Sequence, residues 1–565
     1  MSNRKKRILM CGEASYTCSG FGVYTNEVMK RLAATGKYEL AELASYGLVN
    51  DPRDTNVNWR IYANAVRDND PRIDLYRSRT TNQWGEWRFD RVCLDFKPDI
   101  VIDIRDPWML EWEKDSPFRR FFHLVWMPTC DSAPSQEQWL DSYKEADGIF
   151  TYTDWNLDVL KKEGNGKIKL QCSAPPGTNL DIFNPAPNKG KHKESMGFHP
   201  EMNIIGTVMR NQRRKLYPDI LDGFRKFIEN CNTLGLHDLA QKTFLYIHTS
   251  YPDAGWNFPK LLKESGISHK VIFSYLCRAC NKWFAGPFQD ATTTCVHCSS
   301  VGSAVLPNVA NGVSTEVLAD IMKCFDVYLQ ISICEGAGMP QMEAASCGVP
   351  SMGMPYSATK DILDKTDSIP IKIAKSYLEI ETQAYRMMVD SDSLAQELLK
   401  FLNLPTKQRI KLEKKAREAC ESFYNYDNSA KIWETYLDSV ELTGTQGQWD
   451  ALPEIYDIPK NIPANLDNKQ FVAFLYDDVL HKPELKYSYS ALKIISELNL
   501  GAMIDGSTIT PITREQIFEI FKHRLNNSNI CEKARCGLVE LPPEDYVNYA
   551  DMKSKAIGTK KGDII

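Results

Sequence analysis

Two carboxylates flanking a glycine-rich turn are the side chains best spaced for chemistry. The segment Glu335-Gly336-Ala337-Gly338-Met339-Pro340-Gln341-Met342-Glu343 follows an apolar run, Val327 to Ile331, and leads through Ala344 to Cys347 into Gly348-Val349-Pro350. This pattern reads as strand, turn, helix and second strand. Small residues at 336 to 338 let backbone N–H groups approach a ligand. Pro340 suits the first turn of a helix, whose N-terminus then faces the same turn as an anion site. A carboxylate beside an anion site is unfavourable unless it meets a neutral group, so Glu335 and Glu343 point to the hydroxyls of a sugar or a ribose. A second cluster carries the opposite charge. In Ile204 to Lys215 a strand ends in Arg210, Arg213, Arg214 and Lys215, ahead of a helix beginning near Pro218. A diphosphate fits this place. Arginine clamps two phosphate oxygens, lysine adds a compact charge, and together they offset the charge that grows on a leaving nucleotide.

A third set is built for a metal. Cys277-Arg278-Ala279-Cys280 and Cys295-Val296-His297-Cys298 are two C-x-x-C knuckles separated by fourteen residues, close to zinc-ribbon spacing. Four thiolates from Cys277, Cys280, Cys295 and Cys298 make a closed tetrahedral site with no open position, so the zinc is predicted to be structural. The insert either staples its loop or, through Lys282, Trp283 and Phe284, shapes the place where an acceptor binds. The remaining cysteines sit in apolar contexts, as buried thiols do.

The ordered motif Glu-Gly-x-Gly-x-Pro-x-x-Glu-Ala-x-x-x-Gly-x-Pro resembles the paired-glutamate signature of the retaining GT-B glycosyltransferases, the group-1, family-4-like type that includes bacterial mannosyltransferases and sucrose synthases. By that resemblance Glu335 meets the transferred sugar, Glu343 the ribose hydroxyls, and the amides of Gly336, Ala337, Gly338 and Met339 the sugar and phosphates. Arg210 and Lys215 match the family's diphosphate-binding cations, and Arg214 can substitute for either. Gly20 and Gly22, in the loop Gly12 to Tyr24, resemble the family's N-terminal glycine loop over the donor phosphates. Trp126-Met127-Pro128-Thr129-Cys130-Asp131-Ser132-Ala133-Pro134 resembles its Pro-x-Asp-x-x-Pro loop, which makes Asp131 a candidate contact to donor or acceptor sugar. His123 lies inside a strand and is read as core. Asp103 and Asp106 end another strand, where they either bind the acceptor or serve a local Arg105 salt bridge or a helix cap. Pro176 to Pro185 resembles the segment before the family's interdomain linker. The resemblance spans roughly residues 7 to 440. It implies a nucleotide-sugar donor (a UDP- or GDP-sugar), retention of anomeric configuration, and no catalytic metal.

Positioning these groups requires parallel sheets. Short apolar runs alternate with helix-length amphipathic stretches, the pattern of βαβ units. Strands are predicted at Arg7 to Cys11, Leu40 to Ser45, Asp99 to Ile104, Phe122 to Met127, Gly148 to Tyr152 and Lys169 to Ser173, with a helix at Tyr24 to Ala34. After the proline-rich break at 175–187, strands resume at Asn203 to Met209, Thr243 to His248, Lys270 to Ser274, Asp326 to Ile331, Val349 to Met352 and Ile369 to Ile373. The implied architecture is α/β: an N-terminal Rossmann-like, acceptor-side domain (1–185) and a C-terminal nucleotide-sugar domain (200–425) carrying the zinc ribbon (275–310). Residues 426–442 form a helix that can return to the first domain. Residues 443–565 form a small helical appendage, with helical periods at Asn468 to Leu480, Tyr489 to Leu498 and Thr513 to Leu525.

The balance of 68 basic against 73 acidic side chains excludes binding of nucleic acid by overall charge and leaves only a local basic face for that purpose. No run reaches the length of a spanning helix, and the polar start resembles no signal peptide, so the chain reads as cytoplasmic. The expected acceptor is a glycan or small molecule, or else a hydroxylated base in DNA. The competing class is a non-catalytic nucleotide-sugar-fold module that uses the ribbon to bind nucleic acid or protein.

Overall fold

The computed structural model describes residues 4–17, 19–48, 51, 57–116, 118–308, 311–449, 457–505, 508–528 and 547–548. The first sheet contains β1 (Lys6–Glu13), β2 (Tyr38–Ser45), β3 (Arg60–Ala63), β4 (Ile100–Arg105), β5 (His123–Pro128), β6 (Gly148–Thr151) and β7 (Leu170–Ser173). Their order is β3-β2-β1-β4-β5-β6-β7, all parallel, with Val547–Asn548 antiparallel on the outer edge of β3. Burial on both faces explains the unbroken apolar run of β1: Ile8 and Met10 enter one core cluster, Leu9 and Cys11 the other. The order reverses between β1 and β4, which opens a crevice at the carboxyl ends of the strands. Helix α1 (Gly20–Ala34) starts there, its N-terminus capped by Ser19, whose hydroxyl accepts the Gly22 N–H at 3.0 Å.

The second sheet contains β8 (Asn203–Val208), β9 (Thr243–His248), β10 (Val271–Cys277), β11 (Trp283–Gly286), β12 (Thr292–Thr293), β13 (Ala304–Val305), β14 (Val327–Gln330), β15 (Ser351–Gly353) and β16 (Ile369–Pro370). The path β10-β9-β8-β14-β15-β16 is parallel, while β11 and the β13-β12 pair add to β10 antiparallel. Helix α2 (Tyr217–Thr233) covers one face through Ile220, Leu221, Phe224 and Phe227. Helix α3 (Met339–Ser346) follows the glycine turn. The single strand predicted for Ile369 to Ile373 divides in two. Pro370 lacks the N–H needed to continue the ladder, and the chain then forms an antiparallel hairpin, β17 (Ile373–Leu378) and β18 (Tyr385–Val389).

Two chain segments cross between the sheets side by side. Thr178 N–H donates to Tyr424 O at 2.9 Å, and Thr178 bridges Asn425. Helix α4 (Thr406–Ser422) packs on α3, and helix α5 (Tyr426–Ser439) then lies on α1. Trp433 of α5 is fully buried, its ring 4.2 Å from Phe150 and its Nε1–H donating to Tyr24 at 2.8 Å. Tyr436 bonds His123 Nε2 at 2.8 Å, and Lys6 Nζ donates to the carbonyls of Leu437 and Val440, both at 2.7 Å.

The appendage has its own core of Phe471, Val472, Leu475, Val479, Ile517, Phe518 and Phe521. Its helices are α6 (Asn468–Phe474), α7 (Tyr489–Leu500) and α8 (Arg514–Ser528). It is not wholly helical: β19 (Ala502–Asp505) and β20 (Thr508–Pro511) pair antiparallel between α7 and α8, where Ile, Thr and Pro replace helix formers. The Tyr489 N–H donates to Asp141 Oδ2 at 2.6 Å and ties the appendage to the first sheet's side of the molecule.

Candidate active site

The loop after β8 and the loop after β14 are stitched together by their backbones. Leu216 N–H donates to Ile331 O at 3.1 Å, Ile333 N–H donates to Arg214 O at 3.0 Å, and Lys215 bridges Ser332. This register carries the basic cluster to the first glutamate. Lys215 Nζ hydrogen-bonds Glu335 Oε1, which also accepts from Gln330 Nε2 at 2.7 Å and Ser332 Oγ at 2.8 Å. Arg214 reaches Oε2 at 3.1 Å. The side chains of Lys215 and Glu335 are each 7% exposed, whereas Arg214 is 39% exposed and extends from the buried pair toward solvent. Burial alone raises the Glu335 carboxyl, but the charges of Lys215 and Arg214 more than offset it and bring it down to about 2. The same burial, with Arg214 alongside, lowers the Lys215 ammonium to about 8 against the pull of Glu335, so the pair is ionised at neutral pH.

The glycine turn faces the first sheet at close range. A Cβ on Gly336 would stand 2.3 Å from Thr129 Cγ2, and Gly338 caps α3 at φ 71°, a backbone region that disfavours other residues. A Cβ on Gly20 would lie 3.3 Å from Met339 Sδ, so the N-termini of α1 and α3 confront each other across the crevice. Among the described residues the amides of Gly336, Ala337, Gly338 and Met339 donate to no protein acceptor. The free amides at the N-terminus of α3, facing the Ser19-capped start of α1 and beside Arg214, are suited to a diphosphate. Glu343, one turn into α3, is half-buried and has no ion pair among the described residues. Burial pushes its carboxyl up to about 7.

Other residues singled out in the sequence are engaged by protein partners. Arg210 is turned away from Glu335 and clamps Asp253 through Nε and NH2 at 2.7 and 2.9 Å. Both oxygens of Asp131 are engaged: Oδ1 accepts from Arg386 NH1 at 2.9 Å and Ser132 Oγ at 2.8 Å, and Oδ2 accepts from Cys334 Sγ at 3.1 Å. Arg386 stands on β18 and is also held by Glu379, Nε at 2.8 Å and NH2 at 2.6 Å, so the hairpin reaches across the crevice to the first sheet. Asp103 forms a buried ion pair with Arg105 at 2.7 Å, which answers its alternative in favour of the local salt bridge. Sequence reasoning missed Gln330, Ser332 and Arg386. The first two carry a signal, as polar residues two apart at the end of a fully buried strand; Arg386 carries none.

The four knuckle cysteines converge. Their ligand atoms all lie within 4.8 Å of one another, with Cys277 to Cys298 and Cys280 to Cys295 both at 3.7 Å. Tetrahedral coordination at a Zn–S distance of about 2.3 Å requires S···S separations of about 3.8 Å, so the donor set fits one ion. The Ala279 and His297 amides donate to Cys277 and Cys295 sulfur, both at 3.3 Å, as a thiolate site requires. Phe284 stacks on Tyr275 (5.3 Å, 17°) and Trp283 packs against the cluster around Tyr246 and Phe325, so both rings are spent on holding the insert to β10.

Several solved structures share this arrangement of two sheets. The sucrose-phosphate synthase of Thermosynechococcus elongatus aligns at a TM-score of 0.55 and 16% identity, over 77% of this chain and 99% of its own. A glycosyltransferase of Rickettsia africae aligns at 0.52 and 13%, over 77% and 98%. The chain has the GT-B fold. Anabaena HepE, solved with UDP-glucose, aligns at 0.51 and 11% over 77% of this chain and its full length. No protein-family model and no curated protein sequence matches the chain. Glu335, Lys215 and Arg214 stand in the loops after β14 and β8, at the carboxyl ends of the second sheet, and the cysteine site branches from β10. No helix among the described residues is long and apolar enough to cross a membrane.

Proposed function

We propose that the chain is a glycosyltransferase that moves a sugar from a nucleotide-sugar donor to a hydroxyl acceptor with retention of configuration. The observation that carries this reading is the meeting of the uncapped N-terminus of α3 and the facing start of α1 with the buried Glu335–Lys215–Arg214 cluster at the carboxyl ends of two facing parallel sheets. Arg214 and the amides of Gly336 to Met339 bind the diphosphate, with Gly20 and Gly22 closing from the opposite side. Glu335 contacts the transferred sugar, and Lys215 holds Glu335 and adds charge toward the leaving phosphate. Glu343 accepts the ribose hydroxyls. Arg210 and Asp131 stay in the assignment as residues that leave Asp253 and Arg386 to reach donor and sugar. The chemistry is electrostatic and positional. Domain limits of 1–185 and 200–425 follow from the same reading, with zinc at the cysteine site (275–310), the returning helix at 426–442 and the appendage at 443–565.

HepE binds UDP-glucose, which makes that donor the first to try, ahead of GDP-, ADP- and TDP-sugars. The test is a rise in thermal midpoint with one nucleotide sugar, since a ligand bound only by the folded state stabilises it, together with slow donor hydrolysis. A chain that responds to no nucleotide sugar would overturn the proposal in favour of a binding module.

A further inference from the structure

Beyond Glu335 the crevice borders the carboxyl end of β4, outside the residues assigned to the donor. Asp106 follows β4 at its carboxyl end. Burial, reinforced by Asp131, pushes its carboxyl up to about 7, opposed by the charge of Arg214, the residue that bonds Glu335. Two residues further on, Trp108 is 52% exposed. Its indole lies 6.4 Å from that of Trp139, the two planes inclined at 47°. Trp139 stands on the short helix Glu137–Tyr143, and the hairpin turn between β17 and β18 abuts the start of this helix. Gln136 Nε2 donates to the carbonyls of Glu381 and Thr382, both at 3.3 Å, and Tyr385 N–H donates to Ala133 O at 2.8 Å.

We infer that Trp108 and Trp139 form the platform on which the acceptor is seated, and that this acceptor is a carbohydrate; the inference rests on the glycosyltransferase reading above. The indoles alone would suit a pyranose ring or a nucleobase, since both offer a face to an aromatic surface. The charges around them decide. Segments 106–111, 136–141 and 378–383 hold Asp106, Glu111, Glu137, Asp141, Glu379 and Glu381; Lys144 pairs with Asp141 at 3.0 Å and Arg386 with Glu379 at 2.6 Å, which leaves an excess of carboxylates. Arg386 is held between Asp131 and Glu379, and Arg214, whose charge reaches Asp106, is held by Glu335 at 3.1 Å. A nucleic acid brings a phosphate at every nucleotide and draws its affinity from cations, so this rim repels it. A neutral sugar presents C–H faces to indoles and hydroxyls to carboxylates, and it loses nothing in an acidic surround.

The test is tryptophan fluorescence of the full chain titrated with neutral trisaccharides (malto-, cello-, manno- and xylotriose) and, separately, with a 20-base single strand and a 20-base-pair duplex of DNA. The expected result is a saturable change with at least one saccharide that persists from about 50 to about 300 mM salt. Trp108→Ala abolishes it, and Trp108→Phe restores part of it; in turnover the same pair raises and then partly recovers the saccharide KM, by about tenfold in the alanine variant. Thermal midpoints of both variants show that each is folded. Salt-sensitive binding of either DNA without a saccharide response, a flat response to all four saccharides, or a Trp108→Ala protein with unchanged saccharide binding would each overturn the inference. Saccharide binding by a protein that ignores every nucleotide sugar would leave the platform standing and remove the donor assignment.

Discussion

At the scale of single residues, Glu335 and Lys215 cannot be tested independently. Each is the other's buried partner, so removing one leaves an uncompensated charge that costs about 3–5 kcal/mol, while replacing both is nearly neutral. Glu335→Gln and Lys215→Met are therefore expected to lose both turnover and stability, and the double variant to regain most of its urea midpoint while remaining inactive. Recovery of turnover in the double variant would remove both residues from the chemistry. Glu343 makes a pH prediction. Its carboxyl titrates near 7 in the free protein, and ribose hydroxyls bind to the carboxylate form. UDP-glucose affinity is therefore expected to fall as pH drops below about 7, approaching tenfold per unit, and to become flat in Glu343→Gln. The stability sign is opposite. A raised carboxyl favours the fold below its ordinary value and withdraws that support as pH rises through about 7, so Glu343→Gln flattens the denaturation profile over this interval. The order of residues around Glu335 and Glu343 was legible from sequence because one turn and one helix set their spacing. The bonding of Lys215 to Glu335 was not, because it depends on register between two loops more than a hundred residues apart in the chain.

At the scale of elements, the sequence pattern located the central strands well, since each is a continuous apolar run buried on both faces. It missed β3, which has only four residues and opens on Arg60, and it missed the β17–β18 hairpin, whose exposed residues follow no burial period. The cysteine site was legible because metal ligation imposes spacing directly on the chain. Its removal is the element-scale prediction. Cys295→Ser or exhaustive chelation is expected to release about one zinc per chain and to lower the thermal midpoint by about 5 °C or more, with new proteolytic cuts confined to 278–303. Loss of metal without any change in midpoint would make the site a surface ornament.

At the scale of the whole molecule, α5 is the clasp. It leaves the second sheet's side and completes the core of the first, with Trp433 fully enclosed between Phe150 and Tyr24. Trp433→Ala is expected to cost about 3–5 kcal/mol, measured by equilibrium denaturation, and to weaken donor binding along with it, since the α1 N-terminus that faces Met339 sits on the same packing. Donor affinity that survives this loss unchanged would mean that the two walls of the cleft are positioned independently. Composition placed the break between the two sheets, and the sequence reading allowed a helix over 426–442 to return to the first, but the surface it would cover was not legible, because an amphipathic pattern does not name its partner.

The clasp also sets an order of events during synthesis. Strands β1 to β7 leave the ribosome first, yet the core they belong to lacks Trp433, Tyr436 and Leu437 until residue 440 has emerged. At about 5–20 residues per second, the second sheet, encoded entirely within the interval, has time to close while the first still waits with its α1 face bare. The part made first is therefore the part finished last, and a nascent chain stalled anywhere between residues 190 and 425 would present that bare face to whatever chaperone or protease is near.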